Sequence, residues 1–162
     1  HLAHEDFAKP GEEVPDARQA IRDLHRAVLL GDPGAGKTTT LLKIAVDLAR
    51  AAQADKAARL PLFVPLREFD GSTSFEAFVR GKTHNLQAAF DRLRDRFVLL
   101  CDALNEMPRK GTTDGRDLVA EVRDILSGRA DWVVSCAATV GWSPANTAWR
   151  YARTAGAPSM SV

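Results

Sequence analysis

Ala27-Val28-Leu29-Leu30-Gly31-Asp32-Pro33-Gly34-Ala35-Gly36-Lys37-Thr38 runs from an apolar stretch into a complete G-x-x-x-x-G-K-[ST] loop, and a helical pattern from Thr39 to Arg50 follows directly. The order strand, loop, helix makes the motif specific. A triphosphate carries several closely spaced negative charges, so its site needs many N–H donors aimed at one point. Glycine lets the backbone wrap that tightly, and Gly31, Gly34 and Gly36 provide the wrap. The helix starts at Lys37, so its unpaired first-turn N–H groups and positive dipole end face the same place. The expected phosphate cradle is Gly31, Asp32, Pro33, Gly34, Ala35, Gly36, Lys37, Thr38 and Thr39. Lys37 is expected to reach the β- and γ-phosphates, and the Thr38 hydroxyl to ligate Mg²⁺. The dinucleotide fingerprint G-x-G-x-x-G fails here, because its last position is Thr39.

The rest of the chain alternates strand and helix patterns. Ala27–Leu30, Leu62–Val64, Phe97–Cys101 and Trp132–Cys136 read as strands. Between them lie helices over Thr38–Ala52, with Leu41, Leu42, Ile44, Ala45 and Leu48 on the apolar face; from a Thr73/Glu76 capping box through Phe75, Phe78 and Val79; over Leu86–Arg96; and over Asp117–Leu126, with Gly128 as its cap. A short helix Ala17–Leu24, capped by Asp16, precedes the first strand. Strands separated by helices predict a parallel sheet covered on both faces, with right-handed crossovers. The domain reading is a linker over 1–15, an α/β nucleotide-binding domain over 16–136, and an atypical tail over 137–162. His1, His4, Glu5 and Asp6 imitate a metal cluster but fall in the polar linker, where a solvated segment is expected. Pro61 and Pro65 limit the second strand. Arg92, Arg94 and Arg96, interleaved with Asp91 and Asp95, read as a solvated face.

Asp102 and Glu106 follow the third strand directly. A carboxylate at the carboxyl end of a parallel strand points into the crevice where ligands of open α/β sheets bind. Asp102 is therefore placed to share Mg²⁺ with Thr38, and Glu106 to orient or deprotonate an attacking water. The expected catalytic set is Lys37, Asp102 and Glu106, and the expected metal ligands are Thr38 and Asp102. Many P-loop ATPases carry the glutamate immediately after the aspartate. Ala103 stands there in this chain, which points to slow hydrolysis.

Composition bounds the partners. With 162 residues and a net charge of +1, the chain is one domain's worth and has no electrostatic reason to bind nucleic acid or an anionic membrane. Its longest apolar runs, about five residues, fall far short of the ~20 that span a bilayer. Cys101 and Cys136 form no C-x-x-C pair and read as buried free thiols in a reducing cytoplasm. The chain begins at His1 with no initiator methionine and no signal-peptide pattern, so a fragment is expected.

Three ordered segments carry a family resemblance: Leu29 through Leu41; Leu62-Phe63-Val64-Pro65-Leu66-Arg67; and Leu99-Leu100-Cys101-Asp102-Ala103-Leu104-Asn105-Glu106-Met107-Pro108. Together they resemble the successive motifs of the NACHT domain, in the STAND class of signal-transducing P-loop ATPases, with wording closest to bacterial members. The resemblance covers roughly Ala17 to Cys136. It implies a three-layer P-loop fold in strand order 5-1-4-3-2, and a nucleotide that controls opening and homo-oligomerisation. A sensor domain elsewhere in the full-length chain would trigger the change and an effector domain would transmit it. Two positions depart from the family. Asn105 stands where a second aspartate is usual, leaving Glu106 to carry hydrolysis alone, and Ala137 stands where an arginine usually senses the phosphate.

From Ala137 onward the periodicities vanish, and Trp142, Trp149 and Tyr151 sit among Ala, Pro, Thr and Ser. A native insertion, an unrelated terminus and a misread reading frame all fit that composition. The expectation is that the fifth strand is missing. The functional expectation is an ATP- and Mg²⁺-binding, slowly hydrolysing switch of a cytoplasmic, multidomain signalling or defence protein. A small-molecule P-loop phosphotransferase and a nucleotide-binding module without hydrolysis are the alternatives. ATP is favoured over GTP because the Asn-Lys-x-Asp guanine reader is absent.

Overall fold

The computed structural model describes residues 13–14, 25–111, 115–129, 131–137 and 150–154. The proposed helix Ala17–Leu24 with its Asp16 cap, the His1/His4/Glu5/Asp6 group, Trp142 and Trp149 lie outside the described residues.

Among the described residues, six strands form one parallel sheet: β1 (Glu13–Val14), β2 (Arg26–Gly31), β3 (Leu60–Pro65), β4 (Phe97–Asp102), β5 (Trp132–Ala137) and β6 (Arg150–Thr154), in the order β1-β6-β2-β5-β4-β3. The four strands anticipated from apolar runs are β2 to β5, and their order is the expected one. β4 and β5 are buried along their whole length, as central parallel strands covered on both faces must be. β3 lies at the edge, which is where a strand containing Pro61 and Pro65 can sit, since an edge strand has one side with no ladder to maintain.

One expectation is overturned. The fifth strand is present, because β6 pairs with β2 in register Ala27↔Arg150 through Leu30↔Arg153. Glu13 and Val14, read as linker, pair in turn with Arg153 and Thr154. The ladder is made by main-chain N–H and C=O groups, which every residue of Arg150–Thr154 supplies. A missing apolar period was therefore no evidence against pairing.

The α-helices among the described residues are α1 (Lys37–Ala54), α2 (Phe75–Gly81), α3 (Gln87–Arg92) and α4 (Leu118–Ser127). Alternation along the strands sends their side chains to two cores. Ala27, Leu29, Val98, Leu100 and Val133 pack with Leu41 and Ile44 of α1 on one face. Val28, Val64, Leu99, Cys101, Val134 and Cys136 pack with Phe75 and Val79 of α2, Phe90 of α3, and Leu118, Val122 and Leu126 of α4 on the other. This is the three-layer α/β arrangement. Among the described residues, no helix is long and apolar enough to cross a membrane.

Three local expectations change. Leu42 is exposed, as is Val46 one turn later, so the buried stripe of α1 is narrower than its apolar count. The Leu86–Arg96 helix is instead a 3₁₀ turn at His84–Leu86, the short α3, and a second 3₁₀ turn at Arg94–Arg96, with Leu86 exposed. The cap of α2 is Ser74, whose Oγ accepts from Ala77 N–H at 3.2 Å. Glu76 pairs with Arg94 instead, and Glu121 of α4 takes over its capping part by accepting from Phe75 N–H at 2.7 Å. The expected cap of α4, Gly128, ends the helix, and Asp117, read as its first residue, is its N-cap and accepts from Ala120 N–H.

Candidate nucleotide-binding site

The loop leaves β2 at Gly31 and turns through Gly34 (φ 82°) and Gly36 (φ 77°) into α1. Both glycines hold the left-handed conformation that a side chain disfavours, and a Cβ built on either meets nothing within 4 Å. The requirement at these positions is therefore conformational rather than one of space. Ala35 N–H donates to Asp32 O at 3.0 Å, closing the turn. Gly36 is the N-cap of α1 and offers no side-chain cap, so the first-turn N–H groups of this 18-residue helix point at the open mouth of the loop.

Lys37 folds back over the loop, its Nζ donating to Gly31 O at 2.7 Å and to Asp32 O at 2.8 Å. The ammonium is thus held at the centre of the wrap by neutral acceptors. Thr38 Oγ1 donates to Asp102 Oδ2 at 2.8 Å across 64 residues of sequence. Sheet order brings them together: β5 lies between β2 and β4, and Asp102, in phase with Val98 and Leu100, faces the α1 side. The other carboxylate oxygen, Oδ1, accepts from Ser135 Oγ at 2.6 Å. Ser135 Oγ in turn accepts from Ala103 N–H at 2.8 Å. Ala103 has φ 62° and ψ 52°, a left-handed conformation costing an alanine about 1 kcal/mol or more.

Glu106 ends the 3₁₀ turn Leu104–Glu106 and is exposed, its carboxylate making no hydrogen bond or ion pair with the described residues. Asn105, noted in sequence only as a departure from pattern, uses its Oδ1 to accept from Ala137 N–H at 3.0 Å. Ala137 is buried and stands in register with Gly31, so the end of β5 is pinned between the phosphate loop and the acidic turn. Ser135 had no role assigned from sequence. Its signal was available, since it is the hydroxyl in the otherwise apolar run Trp132-Val133-Val134-Ser135-Cys136. Burial pushes the Cys136 thiol up, with Lys37 pulling weakly the other way.

Hard oxygen donors, one hydroxyl and one carboxylate 2.8 Å apart, suit Mg²⁺, which takes few protein ligands and completes its shell with phosphates and water. Among the described residues no group of three or more His, Cys, Asp or Glu side chains could hold a metal ion. A small cavity of about 40 Å³ lies at the opposite, amino-terminal edge of the sheet, lined by Arg94, Asp95, Phe97, Gly128, Arg129 and Asp131. It plays no part in this site. Arg129 is buried there with its guanidinium 5.3 Å from the Phe90 ring centroid, and desolvation lowers its pKa, Arg94 adding to the effect.

No curated protein matches the chain. Among solved structures, that of C. elegans PCH-2 aligns over 83% of this chain at 16% identity with a TM-score of 0.43, and the chain spans 36% of that protein's length. The family model of the NACHT domain matches residues 25–140, a stretch that holds the phosphate loop, Asp102 and the strand of Ser135. A chain whose matched region contains the whole of this nucleotide-binding apparatus belongs to the NACHT family.

Proposed function

We propose that this domain is an ATP-binding, slowly hydrolysing switch of a multidomain, cytoplasmic signalling or defence protein, with nucleotide state controlling conformation and oligomerisation. The observation that carries it is the Thr38–Asp102 hydrogen bond at the mouth of the phosphate loop. It sets a Mg²⁺-type donor pair beside a lysine and a free helix N-terminus.

The division of labour follows from each residue's chemistry. The loop from Gly31 to Thr39, Pro33 excepted, supplies N–H donors, and Lys37 exchanges the Gly31 and Asp32 carbonyls for the terminal phosphates, trading neutral acceptors for charged ones. Thr38 and Asp102 would hold Mg²⁺, which when bound neutralises charge on the β- and γ-phosphate oxygens. Glu106 stands exposed on the turn after Asp102, free to orient a water. Ala103 in the usual glutamate position and Asn105 tied to the Ala137 main chain favour slow turnover. A ligand shifts a conformational equilibrium only through its differential affinity for the states, so slow turnover suits a switch. The same two residues favour, as second reading, a nucleotide-binding module without hydrolysis.

Mg-ATP at a thousand times its dissociation constant should stabilise the fold by about 4 kcal/mol, seen as a raised melting midpoint. Lys37→Ala should abolish the shift, and an unchanged midpoint for the parent chain would overturn the assignment. Glu106→Gln should preserve the shift while removing phosphate release, because the amide keeps the shape but accepts no proton. Equal release by parent and variant would assign the water elsewhere.

A further inference from the structure

We propose that Ser135 is a positioning residue for the metal-binding carboxylate: by occupying Asp102 Oδ1 from within the sheet, it reserves Oδ2 as the single oxygen offered beside Thr38. The inference rests on the nucleotide reading above and assigns within it a residue that never touches the nucleotide.

Ser135 is fully buried in a strand whose other residues are apolar, apart from the edge of the Trp132 indole, and a buried hydroxyl costs free energy unless its bonds are made. Both are made at short distance. The direction of each is fixed by chemistry: a main-chain N–H can only donate and a carboxylate can only accept. The Ala103 N–H must therefore fill a lone pair of Oγ, and the single hydroxyl proton must go to Asp102 Oδ1. The register places them for this. Cys101 pairs with Val134, so the next residues, Asp102 at the end of β4 and Ser135 within β5, stand side by side on the α1 face.

A carboxylate turns readily about its last torsion, and either oxygen could face a cation. With Oδ1 held by Ser135 and Oδ2 bonded to Thr38, both ends are fixed and the plane of the group is set before any ligand arrives. The same hydroxyl steadies Ala103 in its left-handed turn, from which the Leu104–Glu106 segment departs. The strand of Ser135 also carries Ala137, whose N–H is held by Asn105, so β5 is fastened to the acidic turn twice.

Partners that orient metal ligands typically contribute ten- to a hundredfold to metal affinity. Titration calorimetry of the full chain with ATP, in excess Mg²⁺ and in EDTA, separates this role from simple packing. Ser135→Ala should weaken Mg-ATP binding about tenfold or more and leave Mg-free ATP binding unchanged. Ser135→Thr, which keeps the hydroxyl, should restore most of the Mg²⁺ effect. In an Asp102→Ala background, Ser135→Ala should add nothing to the loss of Mg²⁺ dependence. A lowered melting midpoint with an unaltered ratio of the two affinities would make Ser135 purely structural and overturn the proposal. A parent chain that binds ATP in neither condition would instead overturn the nucleotide reading itself.

Discussion

Cys101 lies at the heart of β4 with no solvent exposure, and burial pushes its thiol from 9.0 up to about 12, outweighing the nearby Arg129. The folded state therefore holds the proton more tightly than the unfolded chain does. The corresponding stability is complete below pH 9.0 and is lost as pH rises toward about 12, at roughly 1.4 kcal/mol per pH unit. Urea unfolding between pH 8 and 11 should show that decline in the parent, and a flatter one in Cys101→Ala whatever its absolute stability. Identical slopes would mean that the thiol titrates alike in both states. Below pH 9 the same burial should keep Cys101 inert to alkylation until the protein unfolds.

The turn before α2 leaves no room for a side chain at Gly71. Gly71 has φ 79°, and a Cβ there would stand 2.7 Å from Leu118 Cδ2 and 2.8 Å from Gly111 Cα. The Leu118 methyl can give way, but the Gly111 backbone cannot without moving its loop. Around the turn, Arg116 donates to Gly71 O at 2.6 Å and to Glu121 Oε2 at 2.8 Å, and Glu121 caps α2 through Phe75 N–H. Gly71→Ala should therefore cost about 3 kcal/mol from the left-handed conformation and the overlap together, read as a lower urea midpoint. A loss below about 1 kcal/mol would show that the Gly111 loop yields. This arrangement explains the misplaced capping box. Ser74 and Glu121 satisfy the start of α2 from two places, Arg116 holding Glu121 in position, and local spacing carries information about only the first.

At the scale of the whole molecule, the sheet's two edges are protected by different means. β1 is two residues long, and β3 contains two prolines, so neither offers a long open ladder to another chain. That protection depends on β6, which covers the flank of β2. Successive N–H groups of a strand point to opposite sides, so of Tyr151→Pro and Ala152→Pro, one removes a hydrogen bond toward β2. That variant should lose about 1–3 kcal/mol and show a greater tendency to associate, measured by thermal melts and light scattering. If neither variant differs from the parent, β6 contributes nothing to stability. The phosphate loop leaves β2 itself, so the same pairing steadies the strand from which the site springs.

Local chemistry was enough to read the phosphate loop, the strands β2 to β5 and the place of Asp102 at a strand's end. A glycine wrap, a run of apolar residues and a carboxylate after a buried strand each state their requirement within a dozen residues. What tertiary structure alone decided lies in pairs far apart in the chain: Thr38 with Asp102 at its actual distance, Ser135 with Asp102 and Ala103, Asn105 with Ala137, Glu121 with Phe75, and β6 beside β2. The reason is physical. Side-chain hydrogen bonds across strands depend on register, which is set by the whole sheet, and strand pairing itself uses main-chain groups that are nearly the same for every residue.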